Sequence, residues 1–261
     1  MHEQFYEGDN SLVHANKLQA KLYNSVDKFC KRCYTVISER GEMMNKSVYS
    51  LVLADEVVEA IDRMAYSMNT SRSNLINQIL AERVSLMTPE MRMRQIFSEI
   101  EQLMDQRFLF IDQPSDSMIA IKSPVRYKYR PTLRYSLELS RDMQGRVGRL
   151  KVAFRTKSEQ LTAAAEGFFE LWLAVENKNP GKVFPDGVPA QAENGRYTRD
   201  FYSPLAERLS DNQIANAVAG YIRLMDSCIQ TYFDGLTDGT DRSAEIGAEY
   251  AAYVKTVTAV I

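Results

Sequence analysis

Nine residues between 126 and 155 have the types and spacing to take up a polyanion: Arg126, Tyr127, Lys128, Tyr129, Arg130, Arg134, Arg149, Lys151 and Arg155. Cations neutralise phosphates and tyrosine rings stack on unpaired bases, so this interleaving suits nucleic acid. It equally suits a solvated sheet face balanced by acidic residues elsewhere in the chain. Other chemistry is thinly supplied. Cys30-x-x-Cys33 with His14 offers three zinc ligands, but Cys33 falls on an apolar stripe and a fourth ligand is not in view. Core cysteines are the better reading. His2 and His14 are the chain's two histidines, both near the N-terminus, which leaves histidine little part in acid–base catalysis. No Gly-rich phosphate loop, nucleophile elbow or paired-carboxylate signature occurs. Phe168, Phe169 and Trp172 recur at helical spacing and read as core. An enzyme is therefore not expected, nor a cofactor or a metal.

The composition places these residues in an ordinary globular chain. Of 261 residues, 45% are hydrophobic and 25% charged, which is long and apolar enough for one large domain or two modest ones. Three cysteines do not make a disulfide framework. No apolar run approaches the roughly 18 residues of a membrane span, and the opening "MHEQFYEGDN" is unlike a secretory signal, so a cytoplasmic location is expected. The net charge of −2 conceals a strong asymmetry. Residues 1–88 sum to −1, residues 89–157 to +6 and residues 158–261 to −7. The window 122–157 alone holds 11 basic residues opposed by Glu138 and Asp142. A basic middle is followed by an acidic tail.

The periodicities then assign elements to hold these residues. Leu18, Leu22, Val26, Phe29, Cys33 and Ile37 predict a helix within 12–37, stopped near Gly41. "SVYSLVL" at 47–53 alternates as a strand, with Tyr49, Leu51 and Leu53 on one face and Val48, Ser50 and Val52 on the other. A helix starts near Ala54–Asp55, with acidic residues in its first turn. Asn69 can end it in a left-handed conformation, and Ser71 can cap the next helix, which carries Leu75, Ile76, Ile79, Leu80 and Val84. Pro89 suits the first turn of a further helix over 89–107. From 108 the period becomes two: "FLFID", "SMIAIKS" and "VRYKYR" are strand candidates, and 132–157 is the clearest hairpin. A helix over 159–176, a long Pro/Gly/Asn-rich loop, and helices over about 204–233 and 243–260 complete the chain.

The order strand, helix, four-residue turn, helix in "SVYSLVLADEVVEAIDRMAYSMNTSRSNLINQILAERV" resembles the ribbon-helix-helix family of bacterial DNA-binding proteins, the MetJ/Arc type. The resemblance covers about 40 residues: the alternating strand, the Leu53-x-x-Glu56-Val57 helix start, and the Asn69-Thr70-Ser71-Arg72-Ser73 turn before Leu75-Ile76. It implies an obligate homodimer in which residues 47–53 of two chains pair antiparallel. It implies also that Lys46, Val48, Ser50 and Val52 face the DNA major groove, while Ser71, Arg72 and Ser73 present the second helix's N-terminus to a phosphate. Valine can touch a thymine methyl but forms no hydrogen bond with a base, a departure from the family's polar reading residues.

The expectation is an α+β chain, mostly helical, with three parts. Residues 1–45 form a helical extension, 46–88 a dimeric ribbon-helix-helix module, and 89–261 a larger domain whose small antiparallel sheet is packed by helices. Its function is expected to be sequence-specific binding of double-stranded DNA, as a transcriptional regulator (a repressor) or a plasmid-maintenance factor. Arg126, Lys128, Arg130, Arg134, Arg149, Lys151 and Arg155 form a secondary polyanion surface, and the C-terminal domain is a place for a protein partner or small effector. The alternatives are a dimeric interaction protein that does not bind DNA, and a single-strand or RNA binder using 122–157.

Overall fold

A computed structural model describes two strands, β1 (Cys33–Ile37) and β2 (Met43–Ser47), and residues 49–111, 115–128, 130–142, 145–179, 184, 187–203 and 209–257. It contains mixed helix and antiparallel sheet and divides into two compact units, Met1–Val58 and Glu59–Ile261.

In the first unit β1 and β2 pair antiparallel, with Cys33 opposite Ser47 and Ile37 opposite Met43. The helix predicted through 37 is therefore corrected at its C-terminal end. "CYTVI" is rich in aromatic and β-branched residues, and over five residues a helical and a strand period fit the same apolar positions. The bulk of that prediction, with Cys30 and His14, lies outside the described residues. The strand predicted for 47–53 is displaced as well: Ser47 ends β2, and residues 49–54 have no strand partner among the described residues. Val48 lies outside the described residues.

Helix α1 (Asp55–Ser67) begins on its acidic pair, as expected. Its end is a Schellman turn, in which Thr70 N donates to Ala65 O (2.9 Å) and Asn69 N donates to Tyr66 O (3.2 Å). Asn69 sits at φ +52°, the left-handed value such a turn needs. Helix α2 (Arg72–Arg83) is capped by Ser71, whose Oγ accepts from Asn74 N at 3.2 Å. Helix α3 (Pro89–Leu103) has Thr88 as its cap and proline in its first turn.

The second unit carries a six-stranded, wholly antiparallel sheet in the order β3-β4-β5-β6-β8-β7. Its strands are β3 (Leu109–Ile111), β4 (Met118–Pro124), β5 (Thr132–Leu139), β6 (Arg146–Arg155), β7 (Ala190–Glu193) and β8 (Arg196–Tyr202). The helices are α4 (Glu159–Lys178), α5 (Asp211–Asp238) and α6 (Ser243–Thr256). One sheet face supplies Leu133, Tyr135, Leu137, Leu150, Val152, Tyr197 and Phe201 to the core, where they meet Phe168, Phe169 and Trp172 of α4 and most of the apolar face of α5. The alternating pattern of β5 and β6 and the stripe on α4 are thus core, as their periods predicted.

Two further expectations are corrected. "VRYKYR" is a turn, closed by Val125 N donating to Pro131 O and by Arg130 N donating to Tyr127 O, both 2.9 Å. Pro124 and Pro131 lack the N–H groups that a strand ladder needs there. The long loop predicted after α4 contains the hairpin β7–β8, turned by Asn194 (φ +52°) and Gly195 (φ +66°). Asn-Gly with both residues left-handed is the two-residue turn that matches strand twist.

Candidate nucleic-acid interface

Helix α1, its left-handed turn at Asn69 and α2 follow one another in the order read from the sequence. In the first turn of α2 the Asn74 amide is taken by Ser71 Oγ, and those of Arg72 and Ser73 have no acceptor within the helix, so these two can point at an anion. Ser71 is occupied as the cap, Ser73 is exposed, and Arg72 is committed elsewhere. Its Nε and Nη2 donate to the two carboxylate oxygens of Asp62 on α1, and this carboxylate pushes the guanidinium pKa upward. Arg72 therefore reaches a phosphate only by leaving or sharing Asp62.

The extended segment before α1 is open to solvent, with Ser50 exposed and Val52 fully so. Lys46 lies on β2, within the paired hairpin. The apolar residues expected to form a dimer core are also uncovered: Tyr49, Leu51, Leu53 and Val57 in the first unit, and Met64, Ile79, Leu80 and Val84 in the second. Of the sixteen large hydrophobic residues exposed among the described ones, thirteen lie within 49–87.

The second basic surface separates into three groups. Arg126, Lys128 and Arg130 belong to the 125–131 turn, and Arg126 is paired with Asp234 on α5 at 2.9 Å. Arg134, Arg149 and Lys151 lie on the sheet face opposite the core, where the register sets Lys122 beside Arg134, Ser136 beside Lys151 and Glu138 beside Arg149. Arg149 is neutralised, its Nε and Nη2 donating to Asp200 at 2.6 and 2.8 Å. These hydrogen bonds hold the Asp200 carboxyl below its ordinary value. Arg155 ends β6 across from Thr132. Of the two tyrosines read into this surface, Tyr127 is half-buried and packs edge-on against Phe233 at 5.0 Å. Tyr129 lies outside the described residues.

Comparison with family models, with curated proteins and with solved structures matches none of them.

Two polar clusters escaped the sequence reading. Glu176 on α4 and Arg199 on β8 form a fully buried ion pair, 3.1 Å from Nε to Oε1. Tyr221 donates to Glu176 Oε1 at 3.0 Å, and Tyr197 also donates to this carboxylate. The Arg199 guanidinium lies 4.5 Å from the Tyr221 ring centre. Burial raises the Glu176 pKa against the pull of Arg199 and the tyrosines. Burial lowers that of Arg199, but Glu176 and the tyrosines more than offset it, and the guanidinium stays charged. The second cluster joins Tyr135 to Asp226 Oδ1 at 3.0 Å, with Asp226 wholly buried and its pKa raised by that burial. Both sit within the packed core of the second unit, as pins between sheet and helices. A signal existed for the first: Arg199 alternates in phase with Tyr197 and Phe201, and Glu176 lies one turn beyond Trp172.

Among the described residues no helix is long and apolar enough to cross a membrane.

Proposed function

We propose that the chain is a homodimeric DNA-binding protein of the ribbon-helix-helix type, in which residues 47–53 of two copies pair and α1 and α2 pack beneath them. The observation that carries this reading is the concentration of exposed apolar side chains in 49–87. Large apolar side chains left exposed in one stretch of sequence mark an interaction site, and a segment without a strand partner among the described residues can take one from another chain. A second copy supplies both at once. The Schellman turn at Asn69 and the Ser71 cap support the same reading, because they end one helix and start the next within four residues, as the resemblance implies. The outward positions Val48, Ser50 and Val52 then read bases mainly by contact with thymine methyls, with Ser50 the one hydrogen-bonding side chain among them. The function that follows is transcriptional regulation, as a repressor or plasmid-maintenance factor.

Sedimentation equilibrium combined with a salt titration of duplex binding tests this. The expected result is a dimer at micromolar concentration whose log affinity falls linearly with log salt, by about 0.9 per phosphate neutralised. A monomer at all concentrations, or no duplex binding at low salt, would refute it.

A further inference from the structure

We propose that the cleft between the 125–131 turn and the segment joining β6 to α4 binds a small organic anion with an apolar body, a phosphate monoester or carboxylate carried on a ring or short chain. The cleft has a volume of about 380 Å3. Its charged lining is wholly cationic, Lys128 from the turn facing Arg155 and Lys157 from the other wall, and no carboxylate lines it. None of these three is in an ion pair among the described residues, whereas the neighbouring Arg126 is satisfied by Asp234. Three like charges at one cleft repel one another, and an anion relieves that repulsion. The apolar lining, Tyr127, Pro131 and Leu161, exceeds what inorganic phosphate needs and suits a hydrocarbon body.

The wall carrying Lys128 is built rather than loose. The side chain of Gln230, itself buried, accepts from Arg126 N at 3.0 Å and donates to Pro124 O at 3.1 Å. The Tyr127 ring is seated on Phe233, and Arg130 is held at φ +45°, an uncommon conformation for a side chain of its kind. These contacts hold the backbone of the turn, from which Lys128 projects, in advance of any ligand. The site lies within the second unit and stands whether or not the chain binds DNA.

Calorimetric titration of the full chain with 1-naphthyl phosphate, 1-naphthol and inorganic phosphate provides the test. The expected result is saturable binding of naphthyl phosphate, one per chain, with at least about tenfold weaker binding of each of the other two, since 1-naphthol loses the charge-assisted contacts and inorganic phosphate loses the buried ring, each worth about a factor of ten or more. Lys128→Ala with Arg155→Ala should weaken naphthyl phosphate by at least tenfold, and Arg126→Ala should leave it within about twofold. All three residues are exposed, so thermal melts of the variants should match the parent. No saturable binding, or equal binding by the double variant, overturns the site. Equal affinity for inorganic phosphate overturns the apolar body, and equal affinity for 1-naphthol overturns the role of the cations.

Discussion

Residues 49–87 and residues 88–257 handle apolar side chains in opposite ways. The second stretch conceals Trp172, Phe168, Phe201, Phe233 and the whole inward row of β5, and among its described residues leaves Leu109, Tyr202 and Leu236 as the exposed large hydrophobics. The first stretch buries Ala65, Leu75 and Ala81, and exposes thirteen large apolar side chains. Both stretches contain capped helices, by Ser71 in the first and by Thr88, Ser158 and Ser210 in the second, so missing caps do not explain the difference. It is a difference in self-sufficiency: the sheet and its helices cover each other's apolar faces, while α1 and α2 have too few partners of their own. On the proposed function, a stretch with local signals and an incomplete core is one share of a core completed by a second copy.

The contrast is broken most strongly by disturbing the complete region. Glu176→Ala leaves the Arg199 charge buried without its partner, which should cost about 3–5 kcal/mol of stability in chemical denaturation. Replacing both residues by apolar ones of similar size should recover most of that loss. Leu51→Lys tests the other side. It should weaken dimerisation by roughly 2 kcal/mol, about 30-fold in dissociation constant, because a leucine is withdrawn from the shared core. The melting of the 88–257 region should not move, and a matching fall there would erase the distinction between the two regions.

Smaller changes sharpen it. Ser71→Ala removes the hydrogen bond to Asn74 N and should destabilise α2 by about 1 kcal/mol, seen as lost helicity or a lower melting point. Arg72→Ala frees Asp62 and removes one cation, and should reduce the salt slope of duplex binding by about one. The smallest expected effect is the pH dependence set by Asp226. Its folded pKa lies above the ordinary 3.8, so the folded state binds more protons between the two values. Stability from this group is therefore present below 3.8 and declines as pH rises through the folded value. Asp226→Asn should flatten that part of the stability–pH curve, and an unchanged curve would remove Asp226 from the account.

Where a local signal was long and unopposed, it was legible. Leu133, Tyr135, Leu137 and Leu139 alternate over eight residues, and Phe168, Phe169 and Trp172 sit on a twenty-residue stripe, so both reached the core as read. Asn69, Ser71 and Pro89 act through backbone chemistry that depends on residue type alone. Short segments failed for want of length. Cys33–Ile37 satisfies two periods at once, and "VRYKYR" alternates yet is closed off by prolines at both ends. The β7–β8 hairpin was obscured by the Pro/Gly-rich residues before it, although Asn194-Gly195 was its marker.

The amino-acid sequence by itself determined the caps, the turns, the alternation of β5 and β6 and the stripe of α4, because each depends on neighbours a few residues away. It determined also that cations gather in 122–157. Only the tertiary structure decided which cations are free. Arg126, Arg149 and Arg72 are matched to Asp234, Asp200 and Asp62, while Lys128, Arg155 and Lys157, without an ion pair among the described residues, line one cleft. Pairing of charges depends on distance through space, and residues 23 positions apart, such as Glu176 and Arg199, become partners only when a sheet and a helix are pressed together.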